Sequence, residues 1–329
     1  MTPMKVGILG VSGHFIRRIL LPLQKSSIVD LYAIASRSKD KVKETAEKFD
    51  IPISYNSYEE ILKDKLIELV YIPLPNNMHA EWIKKCADYG KHIICEKPIT
   101  LNAEEAIESI NYAKSKNVYI IEAFMYKFHP QWKHVLELVQ TDEIGKINFI
   151  NTTFGYNNPD PSNIRNIKKL GGGGLMDIGC YAISVPRFIL QKEPTRVISL
   201  INIDNDFQTD ILTSAILDFG YTRATFNIST KTFPYQKVEI HGTNGIIIIQ
   251  IPFNTFSDVP AKVTIINSVG TREINFNPVN QYQIEFEEFV KSIRDNKPSP
   301  VPIEDAINNM KVIDAIVKSY QSNKWEKIE

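Results

Sequence analysis

Three short stretches of this chain carry side chains that can handle a proton or hold an anion. At 95–100 it reads Cys-Glu-Lys-Pro-Ile-Thr, directly after the apolar run His92-Ile93-Ile94. Lys97 thus puts an ammonium group where a buried strand should end. Partly withdrawn from water, such a lysine has its pKa drawn down and becomes able to give a proton. Taken alone, it would serve equally well as a structural ion pair with Glu96. The second stretch runs Gly171-Gly172-Gly173-Gly174-Leu175-Met176-Asp177-Ile178-Gly179-Cys180-Tyr181. If a helix starts at the glycines, Asp177 and Tyr181 lie four apart and share a face. A lysine on one domain and a tyrosine on the other would then face one cleft; the glycines would equally serve as a flexible entry.

The third stretch is Gly10-Val11-Ser12-Gly13-His14-Phe15, which follows the apolar run Lys5 to Leu9. Dinucleotide-binding folds use glycines here for a tight turn and for close approach of backbone to pyrophosphate at a helix N-terminus. Against the GxGxxG template only Gly10 fits; Ser12 and Phe15 fill the second and third positions, and Gly13 shifts the turn. At the end of the next apolar run stands Ser36-Arg37, where NAD-specific sites place a carboxylate for the ribose hydroxyls. A 2′-phosphate offers acceptors only and suits the donors of Arg37, so the expected cofactor is NADP(H), with NAD(H) second. The competing reading makes Arg37 a solvated loop cation. Leu74, Pro75 and Asn76 lead to His79 in a proline-stiffened loop at another strand end, which is either ligand-facing or a plain connection.

These residues need rigid elements behind them. Apolar runs at Lys5–Gly10, Leu31–Ala35, Ile67–Leu74, His92–Cys95 and Val118–Phe124 alternate with helical stretches at Ser38–Phe49, His79–Tyr89 and Asn102–Lys116. Continuous apolar strands alternating with helices predict a doubly wound parallel sheet over residues 1–123. Residues 124–329 read as an α/β domain with a large, mostly antiparallel open sheet, for substrate binding and oligomerisation. It has a hairpin at Gly242-Thr243-Asn244-Gly245 and another around Val269-Gly270. Its helices are expected at Gly174–Leu190, Gln281–Asp295 and Glu304–Ser322.

Lysine plus arginine (38) balance aspartate plus glutamate (38) in 329 residues, which argues against nucleic acid or an anionic membrane as partner. No apolar run approaches the ~20 residues that span a bilayer, and the N-terminus shows no signal-peptide pattern. Three scattered cysteines give neither a disulfide framework nor a metal site. The expectation is a cytoplasmic protein without a metal.

Taken together, Glu96-Lys97-Pro98, the segment Glu122 to Pro130, the glycine run with Asp177 and Tyr181, and His241-Gly242-Thr243-Asn244-Gly245 make the chain resemble the glucose–fructose oxidoreductase / inositol dehydrogenase (Gfo/Idh/MocA) family. The resemblance runs nearly end to end. It implies a Rossmann domain, an NAD(P)-dependent sugar oxidoreductase, and a cis proline after a lysine beside the nicotinamide. Tyr181, where inositol dehydrogenases have histidine, resembles the branch of sugar dehydrogenases and nucleotide-deoxysugar 3-ketoreductases. In that branch the arginine corresponding to Arg165 tends to reach the cofactor.

The expected catalytic residues are Lys97, Tyr181 and Asp177. The expected cofactor residues are Gly10, Val11, Ser12, Gly13, His14, Phe15, Ser36, Arg37, Tyr58, Leu74, Pro75, Asn76, His79, Glu96, Lys97, Arg165 and Asp177. Lys97, His129, Tyr181, Tyr235 and Thr255 are expected at a sugar or nucleotide-sugar substrate, in a homodimer or homotetramer. The competing functions are a trans-dihydrodiol dehydrogenase-like enzyme and a non-catalytic regulator that senses a nucleotide or sugar.

Overall fold

The two kinds of apolar pattern in the sequence become two kinds of sheet. A computed structural model describes residues 2–329. The strands β1 Met4–Leu9, β2 Val29–Ala35, β3 Ile53–Tyr55, β4 Leu69–Ile72, β5 His92–Glu96 and β6 Ile120–Ala123 pair in parallel in the order β3-β2-β1-β4-β5-β6. All four residues of β4 and of β6 are buried, as strands covered on both faces must be. Sequence order reverses between β1 and β4, and in open α/β sheets ligands bind in the crevice outside such a reversal.

Helices follow the apolar periodicity closely. Lys39–Lys48 and His79–Asp88 form where expected, and Asn102 caps Ala103–Ser115 by accepting from the Glu105 N–H at 2.9 Å. Several pieces have no counterpart in the sequence reading, among them the helix Pro130–Gln140 and the two described next. β3 is three residues long, too short to show a period. The helix Tyr58–Lys63 is fixed by a capping box, in which the Ser57 side chain and Glu60 bond each other's backbone N–H.

The second sheet is built from β7 Ile147–Asn157, β8 Arg196–Ile203, β9 Asp210–Asp218, β10 Arg223–Ser229, β11 Lys231–Gly242, β12 Gly245–Ile249, β13 Ala261–Asn267, β14 Gly270–Phe276 and β15 Glu326–Lys327. Their order is β14-β13-β12-β11-β7-β10-β9-β8-β15, with only β7 and β10 parallel. Both expected hairpins are present. Gly242 is required at the first one for closeness rather than for a turn: an added Cβ would lie 2.0 Å from the Ile144 carbonyl oxygen. Thr243 and Asn244 then donate their N–H groups to Lys146 and Ile144. One compact unit comprises the chain up to Phe124 with the returning segment Tyr282–Ile307; the other comprises Met125–Gln281 with Asn308–Glu329. Among the described residues no helix is long and apolar enough to cross a membrane.

Candidate active site

In the first unit, the chain leaves β1 through Gly10, whose φ of +109° lies in the region that favours glycine. Ser12 then caps the helical run that begins at Gly13, its hydroxyl accepting from the Phe15 N–H at 3.1 Å. Phe15, at the template's third glycine, is fully buried with its ring 6.0 Å from Tyr71. Its side chain is core, and its N–H is bonded to the Ser12 hydroxyl. Tyr58 is buried edge-on to Trp82, and its hydroxyl would lie 3.7 Å from a Cβ on Gly10. At the end of β2, Ser36 is buried and accepts from the Ser38 N–H at 3.2 Å, whereas Arg37 is exposed.

The loops after β4 and β5 are tied together by His79. Its ring is fully buried, with Nδ1 2.9 Å from the Pro98 carbonyl and Nε2 2.9 Å from the Leu74 carbonyl. Burial lowers its pKa, and a neutral ring can donate to only one of two carbonyls. Both ring nitrogens of His79 thus face backbone carbonyls. Leu74 is buried; Pro75 and Asn76 are half-buried. The Lys97–Pro98 peptide is cis. Beside it, Glu96 accepts from the Tyr71 hydroxyl at 2.6 Å and from the Lys97 N–H at 3.3 Å, with His14 Nε2 3.9 Å away. Burial, reinforced by Glu96, pushes the Tyr71 hydroxyl pKa well up and keeps it a donor.

In the second unit, Asp177 is held from two sides: Arg165 Nε lies 2.9 Å from one oxygen, and the Tyr156 hydroxyl donates to the other at 2.5 Å. The glycine run serves close passage rather than flexibility. A Cβ on Gly172 would lie 2.5 Å from the Arg165 carbonyl oxygen, and one on Gly173, at φ +125°, 2.1 Å from Asp210 Oδ1. Asp210 itself accepts from the Leu175 N–H at 2.6 Å and the Thr213 hydroxyl at 3.0 Å. It thereby caps the helical entry, while burial raises its pKa.

That entry, Leu175–Gly179, is a π turn, a feature frequent at functional sites, before the α-helix Cys180–Leu190. The helix expected from Gly174 thus begins there, but its first turn is π rather than α. Tyr181 is buried among Tyr126, Phe154 and Phe253, its hydroxyl donating to Met125 Sδ at 3.4 Å.

The remaining expected residues are scattered through the second unit. His129 is buried and caps the helix Pro130–Gln140, its Nδ1 accepting from the Gln131 N–H at 3.1 Å. Burial lowers its pKa to about 4, so at neutral pH it is an uncharged cap rather than an acid. Tyr235 is exposed on β11 opposite Gly155. Thr255 is buried, with no hydrogen-bond partner for Oγ1 among the described residues. Tyr71, Tyr156 and Asp210 were missed as site residues. Each sits in or beside a strand pattern, where a tyrosine or a flanking aspartate gives no signal of its partner. Among the described residues, no group of three or more His, Cys, Asp and Glu side chains could hold a metal ion.

Comparison with known proteins gives the family. Residues 4–124 match the model of an oxidoreductase family with an NAD-binding Rossmann fold, and 132–248 match the GFO/IDH/MocA C-terminal domain. The chain is 36% identical to an uncharacterised oxidoreductase of Rhizobium meliloti over 98% of this chain and 99% of that one. It is 33% identical to a D-xylose 1-dehydrogenase (NADP(+)) of Haloferax volcanii, over 97% and 98%. In structure it matches a 3-ketoreductase from Actinomadura kijaniata, solved in complex with NADP and TDP-benzene. The TM-score there is 0.91 at 24% identity, covering 96% of this chain and 98% of that one, a likeness of fold. With its parallel six-stranded Rossmann sheet followed by a mostly antiparallel one, the chain is an oxidoreductase belonging to the GFO/IDH/MocA family.

Proposed function

We propose that the protein is an NADP(H)-dependent oxidoreductase that moves a hydride between nicotinamide and a hydroxyl or keto carbon of a sugar or sugar derivative. The observation that carries this reading is the end of β2, where the exposed Arg37 follows Ser36 and no carboxylate stands for a ribose. The turn residues fit a dinucleotide. Gly10 takes a φ that side chains disfavour, and a helical run begins three residues later, its first N–H groups lacking intrahelical acceptors. The bound nicotinamide supplies the hydride chemistry. The chain's part is to hold the dinucleotide and move one proton.

Arg37 takes the 2′-phosphate. Lys97, at the carboxyl end of β5, is assigned the proton, with Glu96 held in place by Tyr71 beside it. Tyr181 is the second candidate for the same proton, and Asp177 with Arg165 is assigned to orientation. A relative named for D-xylose supports a sugar as substrate class.

The finer expectations, a cytoplasmic location and a homo-oligomer, belong to the same proposal. The register of β7–β10 puts Phe149, Leu200, Leu212 and Ile216 on one face of the second sheet, all exposed, while alternate residues such as Ala215, Leu217 and Phe226 are buried. An exposed apolar face of this kind supports assembly. Titration of the protein with NADPH and NADH, followed by a panel of sugars and nucleotide sugars, tests the reading. Preference for NADPH with turnover of a sugar is expected. Equal affinity would remove the role of Arg37, and tight binding without turnover of any substrate would favour the sensing alternative.

A further inference from the structure

The helix Gln281–Arg294 buries Tyr282, Glu285, Phe286 and Phe289, a stripe at core-facing spacing. One member of that stripe is a carboxyl group. Glu285 is 1% exposed, and neither of its oxygens has a hydrogen-bond partner among the described residues. An unpartnered carboxylate is costly to bury, so the group keeps its proton. Burial first, then the charge of Glu96, pushes its pKa well above the carboxylate range. Even as a neutral acid it leaves an O–H unsatisfied, and an apolar side chain would serve folding better at this position.

Tyr71 and Glu96 interact electrostatically with Glu285, and they and the titratable groups in contact with them come from four elements of the same unit. Tyr71 of β4 donates to Glu96, its ring 5.3 Å from Phe286. Glu96 ends β5, and its side chain, 13% exposed, is the route to solvent. Tyr282 lies on the same helix as Glu285. His14, from the turn after β1, meets the Tyr282 ring at 5.5 Å and the Glu96 carboxylate at 3.9 Å. Lys97 follows Glu96 directly and gives it a backbone N–H. The helix that carries the buried acid is thus linked, through Phe286, Tyr71 and Glu96, to the segment to which the proton transfer is assigned.

We propose that Glu285 holds a proton which it would give up when oxidised nicotinamide, a cation, is bound, and would keep beside the neutral reduced ring. In this step the O–H bond of Glu285 breaks, its electron pair stays on the carboxylate, and the proton passes by way of Glu96 to the buffer. Nothing is oxidised or reduced. Glu285 is thus a positioning residue, acting through Glu96 to make the charge at the end of β5 follow the redox state of the cofactor. The inference rests on the proposed function, with the nicotinamide at the Lys97 end of the sheet.

Calorimetric titration in two buffers of different ionisation enthalpy gives affinity and proton count together. For the wild type, NADP+ should release more protons than NADPH, by up to about one per site. Glu285→Gln and Glu285→Leu should bind both cofactors with that difference abolished. Equal proton counts for the two cofactors in the wild type would overturn the inference, as would an unchanged difference in a folded variant. Failure to bind either cofactor would overturn the underlying cofactor reading and this inference with it. If neither variant folds, the wild-type counts alone decide.

Discussion

The polar groups at the end of β5 and those around the glycine run are balanced in opposite ways. Around the glycine run, Asp177 has an arginine on one oxygen and a tyrosine hydroxyl on the other, and Asp210 has a backbone N–H and a threonine. Each carboxyl oxygen put to use there has a donor matched to it. At the end of β5, Glu96 has Tyr71, but neither oxygen of the buried Glu285 has a hydrogen-bond partner among the described residues. A matched cluster contributes mainly to folding, because removing one member strands another. An unmatched acid weakens folding, and its presence is better explained by chemistry. We propose that the contrast separates residues that hold the site from residues that work in it.

The strongest way to break this contrast is Lys97→Ala. Turnover should fall by ~10²–10⁴-fold while the fold and NADPH binding persist, and Lys97→Arg should not restore it, because a guanidinium keeps its proton. Steady-state kinetics with a verified substrate, beside Tyr181→Phe, checks this. A larger loss in Tyr181→Phe would move the proton to Tyr181.

Arg37→Ala comes next. Loss of a charged hydrogen-bond pair should weaken NADPH binding by about 1.5–3 kcal/mol and leave NADH unchanged, as read by cofactor titration.

Asp177→Ala should act on stability. Denaturant unfolding should show a loss of about 1–3 kcal/mol, moderated because the Arg165 side chain is 37% exposed and reaches water. If stability holds and only activity falls, the matched cluster is a working one and the contrast fails.

The smallest effect expected is a pH dependence from His129. Its folded pKa of about 4 lies below the ordinary value of 6.5, so the unfolded chain binds more protons between those values. The stability it contributes is complete above about 6.5 and is lost as pH falls towards about 4, by about 1–2 kcal/mol for a part-buried group. His129→Asn keeps a capping acceptor and should flatten melting temperature over that window.

The sequence made the architecture legible because continuous apolar strands, capped helices and turn glycines are local signals. It was less informative about partners. The π turn at Leu175–Gly179 reads as ordinary helix, since nothing in Leu-Met-Asp-Ile-Gly marks an extra residue in the turn. The glycines at 172 and 173 look flexible until the Arg165 carbonyl and the Asp210 carboxylate are seen against them. His79 and His129 carry the most reactive side-chain chemistry in their loops, yet the first contacts two backbone carbonyls and the second caps a helix. Lys97 and Arg37 stood out because a cation at a strand end needs a reason that packing does not supply. Glu285 was hidden in an apolar stripe, where a pattern of core residues masked a single acid.

The central claim is that the protein turns over a phosphorylated nicotinamide dinucleotide against a sugar. The most direct test follows reduced-nicotinamide absorbance while the wild type is offered sugars and keto-sugars, with each cofactor in turn. The account predicts a substrate-dependent change that is faster with NADP+ or NADPH than with the unphosphorylated pair. Saturable NADPH binding with no change for any sugar or nucleotide sugar would contradict it.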